Sequence, residues 1–370
     1  MSIPDISAPE ISAPNFFSTS YSDARQKFLD ACQSRKLAVE HHLNPNAKGA
    51  EGEDLYMDAA RIGPASAKKI LIISSATHGG EGFCGSGIQV NLLRHGFFDD
   101  LPADTAVLLI HAINPYGFSH VRRVNEDNID LNRNFRDFSR PLPDNAPYGE
   151  VHNMVLPADW DGPARAAADA AIAAYISEKG MPAFQAAVTG GQHIAADGLF
   201  YGGTTASWSN ETLRKIVKQH AADTEHLALL DLHTGLGPYG FGELIYVGDQ
   251  TGIDRAMDWY DGEVTSPATG TSTSAVVHGT IDQGVCQMAP NAAHTCVAIE
   301  YGTIALMDVL NALRADNWLY IHGDVKSELG QSIKAQVRGA FYCEADDWKE
   351  MVWERGHTVI SKALKGLSNC

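Results

Sequence analysis

The sequence predicts an α/β fold: three layers, α/β/α, with helices on both faces of a mixed central sheet. Three observations point there. Residues 69–74 hold Ile70, Leu71, Ile72 and Ile73 in a row, a β-branched and aliphatic run of the sort found in strands covered on both faces. Similar runs recur at 106–113, 227–232, 243–247 and 295–299. Several are separated by stretches of helical periodicity, the alternation that builds layered α/β proteins.

The elements follow in order. Residues 21–36 place Ala24, Phe28, Leu29 and Cys32 at helical spacing, and 54–62 alternate loosely, as a half-buried strand does. A helix is expected over 83–95, with Ile88, Leu92 and Leu93 inward and Gly96 as its stop. Residues 163–179 and 210–222 read as further helices; the alanine richness of 164–174 is that of a good helix former. Between 136 and 161 Pro, Asp and Asn accumulate without periodicity, which predicts a long surface loop. Beyond Glu300 the pattern turns helical, over 304–313 and again over 348–364. With no repeat and no linker, the 370 residues read as an extended arm over 1–20 and one domain over 21–370.

Composition bounds the partners. Lys plus Arg total 28 against 45 for Asp plus Glu, a net charge of −17 that repels phosphate backbones and excludes nucleic acid. No run approaches the ~18 apolar residues of a membrane-spanning helix, so no membrane partner is expected. Cys32, Cys84, Cys286, Cys296, Cys343 and Cys370 are scattered without a CxxC pair, and the N-terminus lacks a basic start followed by an apolar block. Reduced thiols and a cytoplasmic location are the expectation. Cys84 and Cys286 have no nucleophile signature around them and read as buried or incidental thiols.

In open α/β sheets the working residues lie beyond the carboxyl ends of the strands. After the apolar runs come His78-Gly79-Gly80-Glu81, then Asn114-Pro115-Tyr116-Gly117 leading to Asp130-Leu131-Asn132-Arg133, then His233-Thr234-Gly235, and last Glu300-Tyr301-Gly302. Two glycines between His78 and Glu81 let imidazole and carboxylate turn onto one cation, with His233 as a third ligand from another strand. Two His and one carboxylate around Zn²⁺ leave a position open, as in hydrolytic rather than structural zinc sites. Taken singly, HxxE more often serves capping or surface pairing, and Asp130 to Arg133 a turn and a surface ion pair. Their combination is what points to a metal.

The series HGGE, NPYGFSHVRRVNEDNIDLNRNF, DLHTG and AIEYG resembles the zinc carboxypeptidase (funnelin) superfamily, including its aspartoacylase and succinylglutamate desuccinylase branch. It is most similar to a bacterial group of funnelin-like metallopeptidases labelled as a domain of unknown function, over roughly residues 55–305. The resemblance implies a zinc carboxypeptidase-like fold and one Zn²⁺ per chain, held by His78, Glu81 and His233. Asp130 then matches the carboxylate that hydrogen-bonds the first histidine. Asn132 and Arg133 match the pair that holds the substrate's terminal carboxylate, and Glu300 matches the general base and acid. Arg123 is the choice for the arginine that polarises the scissile carbonyl. Arg122 is the alternative, since neighbouring side chains on an extended segment point in opposite directions.

The implied activity is that of a zinc metallohydrolase cleaving an amide next to a free carboxylate. A metallocarboxypeptidase acting on peptides and an N-acyl amino acid deacylase are its two versions. A zinc-binding module without catalysis is the competing class, and Glu300 argues against it. Two features depart from the superfamily: the tyrosine expected ahead of the catalytic glutamate has only Tyr239 and Tyr246 as candidates, and helices replace the β-rich C-terminal domain of the desuccinylase branch. Residues 240–249 are expected to form a cleft wall. His111 reads as a core histidine, His41 and His42 as strand residues, and Met257, Trp259 and Tyr260 as packing. His193, His278 and His294 have no motif behind them, and Gly82, Gly85 and Gly87 lack the spacing of a dinucleotide site.

Overall fold

Every apolar run becomes a strand in the computed structural model, which describes residues 12–370. The strands are β1 (Val39–Lys48), β2 (Asp54–Ile62), β3 (Lys69–Ser75), β4 (Thr105–His111), β5 (His226–Tyr239), β6 (Gly242–Tyr246), β7 (Val264–Thr265) and β8 (Ala293–Gly302). They form one sheet in the order β1-β2-β4-β3-β5-β8-β6-β7. Its centre, β4-β3-β5-β8, is parallel. Antiparallel β1 and β2 on one side, and β6 against β8 on the other, make the sheet mixed.

The helices are α1 (Tyr21–Ser34), α2 (Gly82–Arg94), the short α3 (Pro115–Ser119), α4 (Ala146–Val155), α5 (Pro163–Lys179) and α6 (Met181–Thr189). There follow α7 (Trp208–Ala221), α8 (Gln250–Trp259), α9 (Ile281–Met288), α10 (Leu306–His322), α11 (Glu328–Phe341) and α12 (Asp346–Ser368).

Strand alternation sorts the core into layers. Leu71 and Ile73 pack with Phe28 of α1, Ile88 of α2 and Val352 of α12 on one face. Ile70 and Ile72 pack with Ile216 of α7 and Val285 of α9 on the other. Full burial of each such side chain is worth ~1.5–3 kcal/mol, and a run with both parities buried satisfies both layers at once. A third apolar cluster joins Tyr148 and Val151 of α4, Ile172 of α5, Phe184 of α6, and Leu310 and Leu313 of α10.

One expectation is corrected. The stretch 136–161 is not wholly a loop, because it contains α4. Asn145 caps that helix by accepting from Tyr148 N, Pro147 sits in its first turn, and Tyr148, Val151 and Val155 line its buried side. The polar composition masked this short helical period. Of the expected arm, residues 1–11 lie outside the described residues. Ala13–Phe16 form a 3-10 turn, and Phe17 is buried with its ring stacked 6.3 Å from Tyr342. No helix of the described residues is long and apolar enough to cross a membrane.

The parallel centre brings the motifs together. His78 and Glu81 follow β3, Arg123 and Asp130 follow β4, and His233 lies on β5 directly across from Glu300 on β8. Just after β3 and β4, Ala76 and Ala112 both take left-handed backbone conformations, with φ 58° and 61°. Such strain, ~1–3 kcal/mol each for a non-glycine residue, is held by the surrounding packing at the edge of the site.

Candidate metal centre

Local backbone geometry explains the motifs. Gly79 and Gly80 donate to the carbonyls of Arg123 and Arg122, at 3.2 and 2.8 Å. A Cβ on Gly79 would stand 1.9 Å from the Gly117 carbonyl carbon, so the HGGE turn and the NPYG turn touch backbone to backbone and glycine is required. Asn114 secures the second turn, accepting from Gly117 N at 2.8 Å and donating to Arg123 O at 3.2 Å. Asp130 performs the same service for the third motif, accepting from Asn132 N at 2.9 Å.

His78, Glu81 and His233 converge, all buried, with one donor atom from each within 4.8 Å of the others. His78 Nδ1 lies 2.9 Å from Glu81 Oε1, and His233 Nδ1 lies 2.9 Å from Glu81 Oε2. Each remaining ring nitrogen meets a carboxylate: His78 Nε2 and Asp130 Oδ1 are 3.2 Å apart, His233 Nε2 and Asp231 Oδ2 are 2.5 Å apart. Those outer contacts fix the tautomer that turns both Nδ1 lone pairs inward. Thr234 N also donates to Glu81 Oε2 at 3.1 Å.

Asp231 is the participant that the motif reading missed. Its Oδ1 accepts from Ser74 and Thr77 at 2.6 and 2.8 Å, which aims its other oxygen at His233. The signal was present: residues two apart on a strand share a face, so the Asp and His of DLH sit side by side.

Electrostatics suit a cation. Burial works to raise the Glu81 carboxyl, but the His78 and His233 imidazoles outweigh it and hold that group well below the usual carboxylate range. Burial likewise opposes ionisation of Asp130, and Arg123 and His78 overcome it. For His233, burial favours the neutral ring, yet Asp231 and Glu81 push its pKa well above the ordinary imidazole value. Glu300 behaves differently. Burial and the neighbouring Glu81 charge push it up to about 8, and Leu236 N donates to its Oε1 at 2.9 Å. Glu81, Asp130, Asp231 and Glu300 thus surround two imidazoles with one nearby guanidinium, a donor set and charge balance that fit a divalent ion such as Zn²⁺.

The two adjacent arginines separate cleanly. Arg122 turns away, donating from Nε to Asp316 Oδ2 at 2.9 Å and stacking 3.9 Å over the Tyr320 ring. Arg123 faces the centre, its Nε donating to Asp130 Oδ2 at 2.9 Å and its Nη1 standing 3.4 Å from Glu81 Oε1. Arg133 is also buried, and burial depresses its pKa to about 10. Its Nη1 donates to Asn132 O at 2.8 Å, its Nη2 to Thr189 O, and its Nε has no partner. Asn132 Oδ1 accepts from Ile281 N at 2.9 Å, while its Nδ2 lies 3.5 Å from His233 Nε2.

A cavity of ≈ 160 Å³ joins these groups: His78, Arg123, Asn132, Arg133, His233 and Glu300 all line it. Phe200 stands between Arg123 and Arg133, 5.0 and 5.6 Å from their guanidinium carbons. Ile245 and Val247 provide the wall expected of 240–249. The other candidates lie elsewhere. His111 is a core histidine, stacked 4.6 Å from Phe28 and pushed down to about 4 by burial. His193 and His294 contact the carbonyls of Gly203 and Ala289, Tyr246 is buried in the core, and Tyr239 donates to Asp347 Oδ1 at 3.0 Å. Cys84 is buried beneath the site, which pushes its thiol well up and leaves it inert.

Residues 17–355 match the family described as protein of unknown function DUF2817. The chain belongs to that family. No curated protein matches the sequence of this DUF2817 member. Its fold is similar to carboxypeptidase A from Helicoverpa armigera, at 15% identity and TM-score 0.46, over 87% of this chain and 74% of that one. It is similar to bovine thrombin-activatable fibrinolysis inhibitor, solved with tick carboxypeptidase inhibitor, at 10% identity and TM-score 0.49, over 96% and 98% of the two chains. A provisional member of the succinylglutamate desuccinylase / aspartoacylase family from Shewanella amazonensis aligns at 17% identity and TM-score 0.37, over 76% and 72%.

Proposed function

We propose that this DUF2817 protein is a zinc-dependent hydrolase that cleaves an amide bond next to a free carboxylate, in the manner of a carboxypeptidase. One observation carries the reading: a single cavity holds the His78, Glu300 and His233 side chains beside a buried arginine, Arg133, that has no acidic partner among the described residues. His78, Glu81 and His233 would hold the metal, with Asp130 and Asp231 orienting the imidazoles. When bound, the ion supplies Lewis acidity toward water and the scissile carbonyl.

The chain's own residues do the rest. Arg133, with N–H groups to spare beyond its two carbonyl contacts, binds the substrate carboxylate, and Asn132 Nδ2 donates beside it. Arg123 donates to the carbonyl oxygen as negative charge develops there. Glu300, on β8 directly across from His233, takes a proton from the attacking water and delivers it to the leaving amine. Residues 21–370 would act as one catalytic domain, and the six unpaired thiols suit a reducing cytoplasm.

The test is a panel of N-acylated amino acids and short peptides with free and amidated C-termini, offered to metal-replete protein. Free-carboxylate substrates are expected to turn over, Glu300→Gln to lose about 10²-fold or more in kcat, and Arg133→Met to raise KM for free-carboxylate substrates alone. No turnover across the panel, or full activity in Glu300→Gln, overturns the proposal.

A further inference from the structure

Two cysteines that the site does not use meet behind it. Cys286, on α9, and Cys296, on β8, place their sulfurs 3.8 Å apart. Residues 289–292 alone separate the helix from the strand, so the pair spans one tight helix-to-strand connection. A disulfide needs ~2.05 Å between sulfurs, and the remaining gap is within reach of side-chain rotation. Cys296 is buried among core residues, whereas Cys286 is partly exposed. The metal-ligand cluster among the described residues is the His78, Glu81 and His233 group, so a metal ion does not account for the two thiols.

The two sulfurs are unequal. The Cys296 thiol and the His294 imidazole hold the Cys286 pKa well below the ordinary thiol value, against the opposing effect of burial. The Cys286 sulfur and burial push Cys296 well up. His294 is itself anchored, its Nε2 lying 2.8 Å from Ala289 O. The sulfur that solvent can reach is thus the one that ionises, and the sheltered one keeps its proton. A low-pKa, accessible thiol beside a second cysteine is the arrangement of thiols that oxidise reversibly, and transient disulfides of this kind occur in reducing compartments.

We propose that Cys286 and Cys296 form a redox-active pair that closes to a reversible disulfide when the protein meets hydrogen peroxide. The Cys286 thiolate attacks one peroxide oxygen: an S–O bond forms, the O–O bond breaks, and the departing hydroxide takes a proton from solvent and leaves as water. The Cys296 sulfur then attacks the sulfenic sulfur of Cys286. The S–S bond forms, the S–O bond breaks, and the hydroxide leaves as water with the Cys296 proton. Two thiols are oxidised by two electrons and one peroxide is reduced. The bond tethers α9, whose first turn carries Ile281 of the cavity wall, to β8. None of this requires the hydrolase reading.

The test treats reduced, full-length protein with a few-fold excess of peroxide, blocks the remaining thiols with N-ethylmaleimide after denaturation, and maps tryptic peptides by mass. Both cysteines fall in one such peptide, 256–314. That peptide is expected to lose two hydrogens and both maleimide additions, and to regain both additions after dithiothreitol. Cys296→Ser is expected to stop at the sulfenic acid, trapped by dimedone on Cys286; wild-type mapping stands alone where that variant does not fold. Amides of 281–288 should exchange more slowly in the oxidised protein, and unchanged exchange overturns the tether. Retention of both maleimide additions after peroxide overturns the pair. So does Cys286 passing to sulfinic acid while Cys296 still takes up maleimide.

Discussion

Asp231 touches no proposed substrate atom, yet it decides which nitrogen of His233 faces Glu81. An Asp231→Asn side chain would offer an N–H where the ring needs an acceptor. Metal affinity is expected to fall by about 10- to 100-fold, measured by competition with a chromophoric chelator, while Ser74→Ala does far less. Asp282 makes a prediction of another kind. Burial lifts its carboxyl from 3.8 to about 7, so the native state keeps a proton that the unfolded chain releases. Across that window unfolding releases a proton, and the contribution of Asp282 to stability declines as pH climbs from about 4 to 7. Asp282→Asn should flatten that part of the stability profile, and denaturant melts at pH 5 and 8 compare the two proteins; an unchanged slope would contradict the assignment. His78, Glu81, His233 and Glu300 were legible in the sequence because each follows or ends an apolar run. The aim of Asp231 was not, because the Ser74 and Thr77 hydroxyls that set it stand 157 and 154 positions away, and such partners are a property of the fold.

Among elements, the turns after β3 and β4 matter most, since they are built against each other. Gly79→Ala would force a methyl into the backbone of Gly117. A loss of about 1–3 kcal/mol or more is expected from overpacking, and metal binding should weaken with it because both turns carry the site. Gly149→Ala, with open space around it, is the control for chemical denaturation. The strands were legible because β-branched runs buried on both faces have few alternatives. The helix α4 was hidden by its polar flanks, and only the 148, 151, 155 spacing betrays it. The pairing of α9 with Asn132 could not be read at all, since it joins residues 149 positions apart through one side-chain oxygen.

For the whole molecule, binding a metal ties β3, β5 and the turn after β4 into one unit, so global stability should follow metal occupancy. Free ion at 1,000 times Kd contributes ~4 kcal/mol. At ~1.3 °C per kcal/mol for 370 residues, chelation is expected to lower the Tm by about 5 °C in scanning calorimetry. A Tm indifferent to chelator would speak against a resident ion. The net charge of −17 is not reversed locally, since Arg123 and Arg133 share their cavity with Asp231, Asp282 and Glu300.

The third apolar cluster has a dynamic consequence. It joins α4, α5 and α6 to α10 and includes no strand residue, while Phe184, Val188, Leu310 and Leu313 belong at once to it and to the cavity wall. Its apolar surface is thus satisfied internally, and its helices can part from the sheet without exposing the sheet's own interior. In native-state hydrogen exchange, amides of 146–189 should therefore open in a sub-global step, well before those of 69–75. Ligands that span both regions would slow the first set of amides and leave the second untouched.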